Sequence, residues 1–152
     1  MKAPSSLRRE HEELHADLAR AGQMPGLVGQ TAREVARIMH PHFLREDEYA
    51  MPPLSLLPKL AKGHVTPDMA DVLPLVARLK EEMPLMIDEH RAILGAVRAF
   101  AIAAESEGDE KCIRLAAELT VHAQLEEEVL YPAAILVGEF VKATLQPRPV
   151  TA

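Results

Sequence analysis

His42-Phe43-Leu44-Arg45-Glu46-Asp47-Glu48-Tyr49-Ala50-Met51-Pro52 and His122-Ala123-Gln124-Leu125-Glu126-Glu127-Glu128-Val129-Leu130-Tyr131-Pro132 are two versions of one phrase. Each opens with His-x-x-x-Glu, continues into acidic residues and closes on proline. Four residues span one helical turn, so the His and Glu of each copy project from the same helix face. Upstream of each copy lies a second matched segment. Glu10-His11 with Leu14 and Leu18 corresponds to Glu89-His90 with Ile93 and Val97. His11 and His42 are 31 residues apart, and His90 and His122 are 32 apart. Each half is therefore a helix carrying one His, then a helix carrying His-x-x-x-Glu. The expected fold is all-α: an up-down-up-down four-helix bundle built from two pseudo-repeated helix pairs.

The rest of the chain fits this plan. Helical periodicity predicts helices over about 4–21, 27–50, 68–106 and 109–137, with residues 138–145 a possible continuation. Ser5 or Ser6 is a plausible N-cap of the first. Pro84 should kink or interrupt the third. The inward stripes read Leu7, His11, Leu14, Leu18, Ala21; Val28, Ala32, Val35, Met39, His42, Glu46, Tyr49; Leu79, Met83, Met86, His90, Ile93, Val97, Phe100; and Leu115, Leu119, His122, Glu126, Val129, Ala133, Leu136. Every long helix thus puts an ionisable residue where its pattern asks for an apolar one. The expected domain is one unit over residues 1–146. It includes a Pro-rich connector over about 51–67 with one short helix at 54–62, and 147–152 form a loose tail.

Composition narrows the class. At 152 residues with 48% hydrophobic and 26% charged residues, the chain has the size and balance of one soluble domain. Aromatics at 3% leave a core of aliphatic side chains, which favours helices over a sandwich. A net charge of −6 argues against nucleic acid and against an anionic membrane surface. Cys112 is the single cysteine, so no intrachain disulfide can form. Residues 1–10 lack a signal-peptide pattern, and no apolar run would span a bilayer. The expected location is cytoplasmic.

The inward ionisable residues carry the chemistry. His11, His42, Glu46, His90, His122 and Glu126 fall in one core layer. Burying two carboxylates and four imidazoles without partners would cost several kcal/mol per charge, and bound cations would remove most of that cost. Imidazole with carboxylate suits iron, manganese or zinc rather than calcium. Two carboxylates able to bridge suit a pair of ions a few Å apart. The expected assignment has Glu46 and Glu126 bridging and the four histidines divided between the ions. Taken singly, an inward His is as often a satisfied core residue, and a Glu can be a surface charge on a misdrawn stripe. It is the joint register that argues for metal.

With these residues in place, the sequence resembles the hemerythrin-like, HHE cation-binding family over Leu7 to about Val137. The resemblance rests on His11, on His42 with Glu46, on His90, and on His122 with Glu126 in His-x-x-x-Glu-Glu-Glu-Val-Leu-Tyr-Pro. It implies two iron ions in an oxo- or hydroxo-bridged centre, reacting with dioxygen, peroxide or nitric oxide. Manganese or zinc are possible substitutes. The muscle-type oxygen carriers of that family have His-x-x-x-His on the third helix, whereas here His90 is followed by Leu94. They also place Asp at the fifth position of the last motif, where this chain has Glu126 at the fourth. Both departures turn the expectation from reversible carriage toward peroxide, oxygen or nitric oxide chemistry, or iron and redox sensing.

Other readings remain open at this level. His15, one turn after His11, could be a fifth imidazole in place of the one missing at 94, or a partly exposed polar residue. His40 and His64 read as surface. Tyr49 and Tyr131 either line the cavity or belong to the ordinary core. Glu127 and Glu128 read as a solvated acidic face and stay outside the ligand set. His11-Glu12-Glu13-Leu14-His15 matches the zinc-peptidase pattern His-Glu-x-x-His, but the second repeat keeps only its first His. A ferritin-like oxidase would need paired Glu-x-x-His motifs, and only Glu12 to His15 fits. A metal-free interaction bundle is the remaining class.

Overall fold

The computed structural model describes residues 1–146, so the tail expected over 147–152 lies outside the described residues. Every regular element among the described residues is helical. The α-helices are α1 (Ser5–Ala21), α2 (Gly26–Arg45), α3 (Leu57–Leu60), α4 (Val72–Glu107), α5 (Glu110–Leu125) and α6 (Tyr131–Leu145). A five-residue π turn follows α2 at Glu46–Ala50, and another follows α5 at Glu126–Leu130. The connector holds 3-10 turns at Pro52–Leu56 and Pro67–Asp71 on either side of α3, in place of the single helix expected at 54–62. None of these helices is long and apolar enough to cross a membrane.

Local chemistry sets most boundaries. Pro4, not Ser5 or Ser6, occupies the N-cap place of α1, and no side chain caps that end. Between α4 and α5, Gly108 adopts φ 65°, a left-handed conformation that ends a helix cheaply only at glycine. Asp109 then caps α5 by accepting from the Cys112 backbone N–H at 3.1 Å.

Pro84 does not interrupt α4, which runs unbroken for 36 residues, about 54 Å at 1.5 Å per residue. Pro84 and Lys80, whose carbonyl loses its partner, both lie on the exposed face. Water can satisfy that carbonyl, so the helix tolerates the proline.

The inward stripe of the last helix departs from expectation. Val129 and Leu136 are exposed, and Tyr131, Ala134, Val137 and Val141 face inward instead. The π turn beginning at Glu126 takes up one extra residue. One residue rotates everything downstream by about 100°. The matching turn in the first half leaves Tyr49 buried, because its hydroxyl reaches across to Glu82 on α4.

Helix α4 is the spine. It contacts α2, α5, α6 and the first π turn, while α1 lies against α2 and α5. Gly138 lets α6 approach α4 closely: a Cβ there would sit 2.6 Å from the Val76 side chain.

One apolar cluster gathers Leu14 and Leu18, Met39 and Phe43, Ile93 and Val97, and Leu115 and Leu119. A second gathers Tyr49, Met51, Leu79, Met86 and Tyr131, with Leu7 packed against it. His11, His42, Glu46, His90, His122 and Glu126 fall between these two clusters on each helix in turn.

Candidate metal centre

The six polar residues of this layer are buried, none more than 4% exposed. His11 comes from α1, His42 from the last turn of α2, His90 from the middle of α4 and His122 from the last turn of α5. Glu46 and Glu126 are each the first residue of a π turn. Such turns cluster at functional sites because they re-aim a side chain without ending the helix.

All four imidazoles turn Nε2 toward the carboxylates. His42 Nε2 lies 3.1 Å from Glu46 Oε1, and His90 Nε2 lies 3.3 Å from Glu126 Oε1. On the other side, His122 Nε2 is 3.3 Å from Glu126 Oε2, and His11 Nε2 is 3.6 Å from Glu46 Oε2 and 3.8 Å from Glu126 Oε2. The donors therefore fall into two groups: His11, His122, Glu46 and Glu126, and His42, His90, Glu46 and Glu126. Both groups share both carboxylates. Donors bound at about 2.0–2.2 Å to one ion sit roughly 3–4 Å from one another, which is the spacing seen here.

A test of fit comes from the polar atoms left without partners. His11 Nδ1 and Nε2, His122 Nε2, Glu46 Oε2 and Glu126 Oε2 are buried with no hydrogen bond. Four of them, His11 Nε2, His122 Nε2, Glu46 Oε2 and Glu126 Oε2, face one another in the first donor group, while His11 Nδ1 points outward toward Asp47. Buried polar atoms are nearly always paired, so four inward orphans in one cluster mark a place suited to a cation. The second group is served by Tyr131, whose hydroxyl donates to Glu46 Oε1 and lies 3.2 Å from His90 Nε2 and 3.4 Å from His42 Nε2.

The protonation pattern of the metal-free cluster follows from burial and crowding. Desolvation and the neighbouring Glu126 push the Glu46 carboxyl up to about 7. Glu126 is also desolvated, but the nearby Glu46 carboxyl and the His11, His122 and His90 imidazoles outweigh this and hold it well below 4.5. Desolvation works against a charged His122, yet Glu126 and Glu10 raise it to about 9. His11 and His90 are raised in the same way against their own desolvation, chiefly by Glu126.

The outer nitrogens face a second set of carboxylates. His122 Nδ1 is 2.9 Å from Glu10, His90 Nδ1 is 2.8 Å from Glu127, and His42 Nδ1 is 3.5 Å from Glu89. Asp47 lies 3.5 Å from His11 Nδ1, too poorly aimed for a hydrogen bond. His11 takes its orientation instead from Phe43, stacked at 4.1 Å with an interplanar angle of 3°. Each outer carboxylate adjoins a member of the inner layer in sequence and reaches a histidine on another helix. Such partners fix the tautomer and raise the donor strength of the imidazole.

Sequence reasoning missed this outer set and placed Glu127 on the solvated face. The signal was there, because both halves carry an acid before the first His and another after the Glu. Tyr131 was singled out only as cavity or core.

The remaining candidates lie elsewhere. His15 joins neither donor group; its ring meets Phe43 edge-on at 4.8 Å and lies 5.9 Å from His40. Glu12 is exposed, as are His40 and His64. A groove of about 420 Å³ between α1 and α5, rimmed by Glu10, Glu13 and Asp17, reaches His122.

Residues 3–134 match the family model described as Hemerythrin HHE cation binding domain. No curated protein and no solved structure matches the chain.

Proposed function

The chain belongs to the hemerythrin HHE cation-binding family, and from that premise we propose a centre of two iron ions that binds or reacts with dioxygen, peroxide or nitric oxide. One observation carries the reading: two four-donor groups share both of their carboxylates. His11 and His122 would hold one ion, His42 and His90 the other, and Glu46 and Glu126 would bridge them. Manganese or zinc could occupy the same donors. The bound ions would supply Lewis acidity and one-electron redox chemistry toward a small molecule.

The chain's own residues do the rest. Glu10, Glu127 and Glu89 hold imidazole Nδ1–H groups, so that each Nε2 lone pair faces inward. The Tyr131 hydroxyl donates to Glu46 Oε1 and so fixes that oxygen at the His42–His90 side. The apolar clusters above and below the layer exclude bulk water. The groove beside His122 gives a small ligand a way toward the other side.

The order of residues through the two clusters supports the finer fold reading. Helices α1 and α4 run from the Tyr49–Tyr131 cluster to the Leu14–Phe100 cluster, and α2 and α5 run back. That is the alternation of an up-down-up-down bundle made from two similar helix pairs. A peptidase reading through His11, Glu12 and His15 gains no support, because Glu12 is exposed and His15 stands apart from the donors.

The test is anaerobic loading with ferrous iron, then exposure to oxygen, hydrogen peroxide and nitric oxide in parallel. We expect close to two irons per chain and a fast change in visible absorption with at least one of the three. One iron or none, or an inert spectrum with all three, would overturn the proposal.

A further inference from the structure

The two halves differ at both outer contacts, and at Glu89 the difference has a local cause. Glu10 precedes His11 and backs His122 at 2.9 Å. Its counterpart Glu89 precedes His90 and backs His42 at 3.5 Å. Arg45 separates the two cases. Its Nη1 donates to Glu89 Oε2 at 2.5 Å, so the carboxylate that faces His42 with one oxygen is tied to a guanidinium by the other. The position matching 45 in the second half is Leu125. Among the described residues Glu10 has His122 as its sole ionic partner.

The chemistry gives this asymmetry a direction. An anionic carboxylate behind an imidazole increases electron density at the opposite nitrogen. A carboxylate already bound to a guanidinium has less charge to give. The Glu89 side chain is only 17% exposed, so water screens its pair with Arg45 poorly. Resting on the two-ion reading above, we propose that Arg45 is a positioning residue that acts through Glu89 to weaken the donor strength of His42. The ion held by His42 and His90 is consequently bound less tightly than Glu89 alone would allow. Arg45 touches no ligand atom; it draws Glu89 away from the imidazole and draws charge off it.

The experiment is a Co²⁺ titration of the metal-free full chain against a competing chelator, with the Co²⁺ absorption bands followed at each step. Wild type takes two Co²⁺. Arg45→Met raises affinity at one of the two steps about tenfold, while Glu89→Gln lowers it about 10- to 100-fold, the usual range for such outer partners. The double variant matches Glu89→Gln alone, since Arg45 has nothing else to act through. Arg45→Gln, which keeps more of the side chain's packing, should also raise affinity. Loss of affinity in both Arg45 variants, no change in either, or an Arg45 effect that persists without Glu89 would overturn the proposal. Fewer than two Co²⁺ in wild type would instead bring down the two-ion reading, and this inference with it.

Discussion

The Tyr131 hydroxyl donates to Glu46 Oε1 from the opposite half of the chain, 85 positions away, and so closes the donor group formed by His42 and His90. Its reach depends on the π turn at Glu126–Leu130, which brings residue 131 inward. Tyr131→Phe would leave Glu46 buried with one donor fewer. We expect the metal-free protein to lose about 1–3 kcal/mol, the usual cost of an unsatisfied buried polar group. Urea unfolding of the metal-free variant checks this, and unchanged stability would show that the bond contributes nothing.

Stability of the metal-free protein should depend on pH in a defined direction. His122 rises from its ordinary 6.5 to about 9, so its contribution is complete below 6.5 and is lost as pH climbs through 9. Glu46 rises from 4.5 to about 7, so its contribution is complete below 4.5 and is lost as pH climbs through 7. Glu126 is depressed and works in the opposite sense, with its contribution present above 4.5 and lost in stronger acid. The metal-free chain should therefore melt at a lower temperature at pH 9 than at pH 6. A flat or rising melting temperature over that window would contradict the protonation pattern.

Metal removal should destabilise the chain, because the six donors fit a cation and binding is linked to folding. His122→Ala and Glu126→Ala should each lower bound iron and melting temperature together. Elemental analysis beside thermal melting tests both. Full iron content in both variants would contradict their role as ligands.

Gly138→Ala separates fold from site. The added Cβ would meet Val76 at 2.6 Å, in an apolar cluster of Met69, Val72, Val76, Val137 and Val141 that contains none of the six polar residues. Overpacking of this kind costs about 1–3 kcal/mol. The variant should unfold earlier yet keep the wild-type iron content, as measured by melting and elemental analysis on one preparation.

Much of this protein could be read before any coordinates. The 3.6-residue period places side chains on a helix face by counting, so the long helices and the shared depth of His11, His42, Glu46, His90, His122 and Glu126 follow from spacing. The match of the two halves pointed to paired donors for the same reason. The family resemblance over Leu7 to about Val137 was read from those same six positions, and the family model matches residues 3–134.

Only the folded chain decided the rest. A π turn changes the helical phase by one residue, and nothing in the local pattern announces it. Val129 and Leu136 therefore read as inward and stand exposed, while Tyr131 enters the cluster. The pairing of Glu10 with His122, and of Glu89 with Arg45 and His42, depends on which helices become neighbours and how they are rotated. Sequence spacing determines which face a residue takes on its own helix; contact across helices is settled by packing, which sums forces from the whole chain.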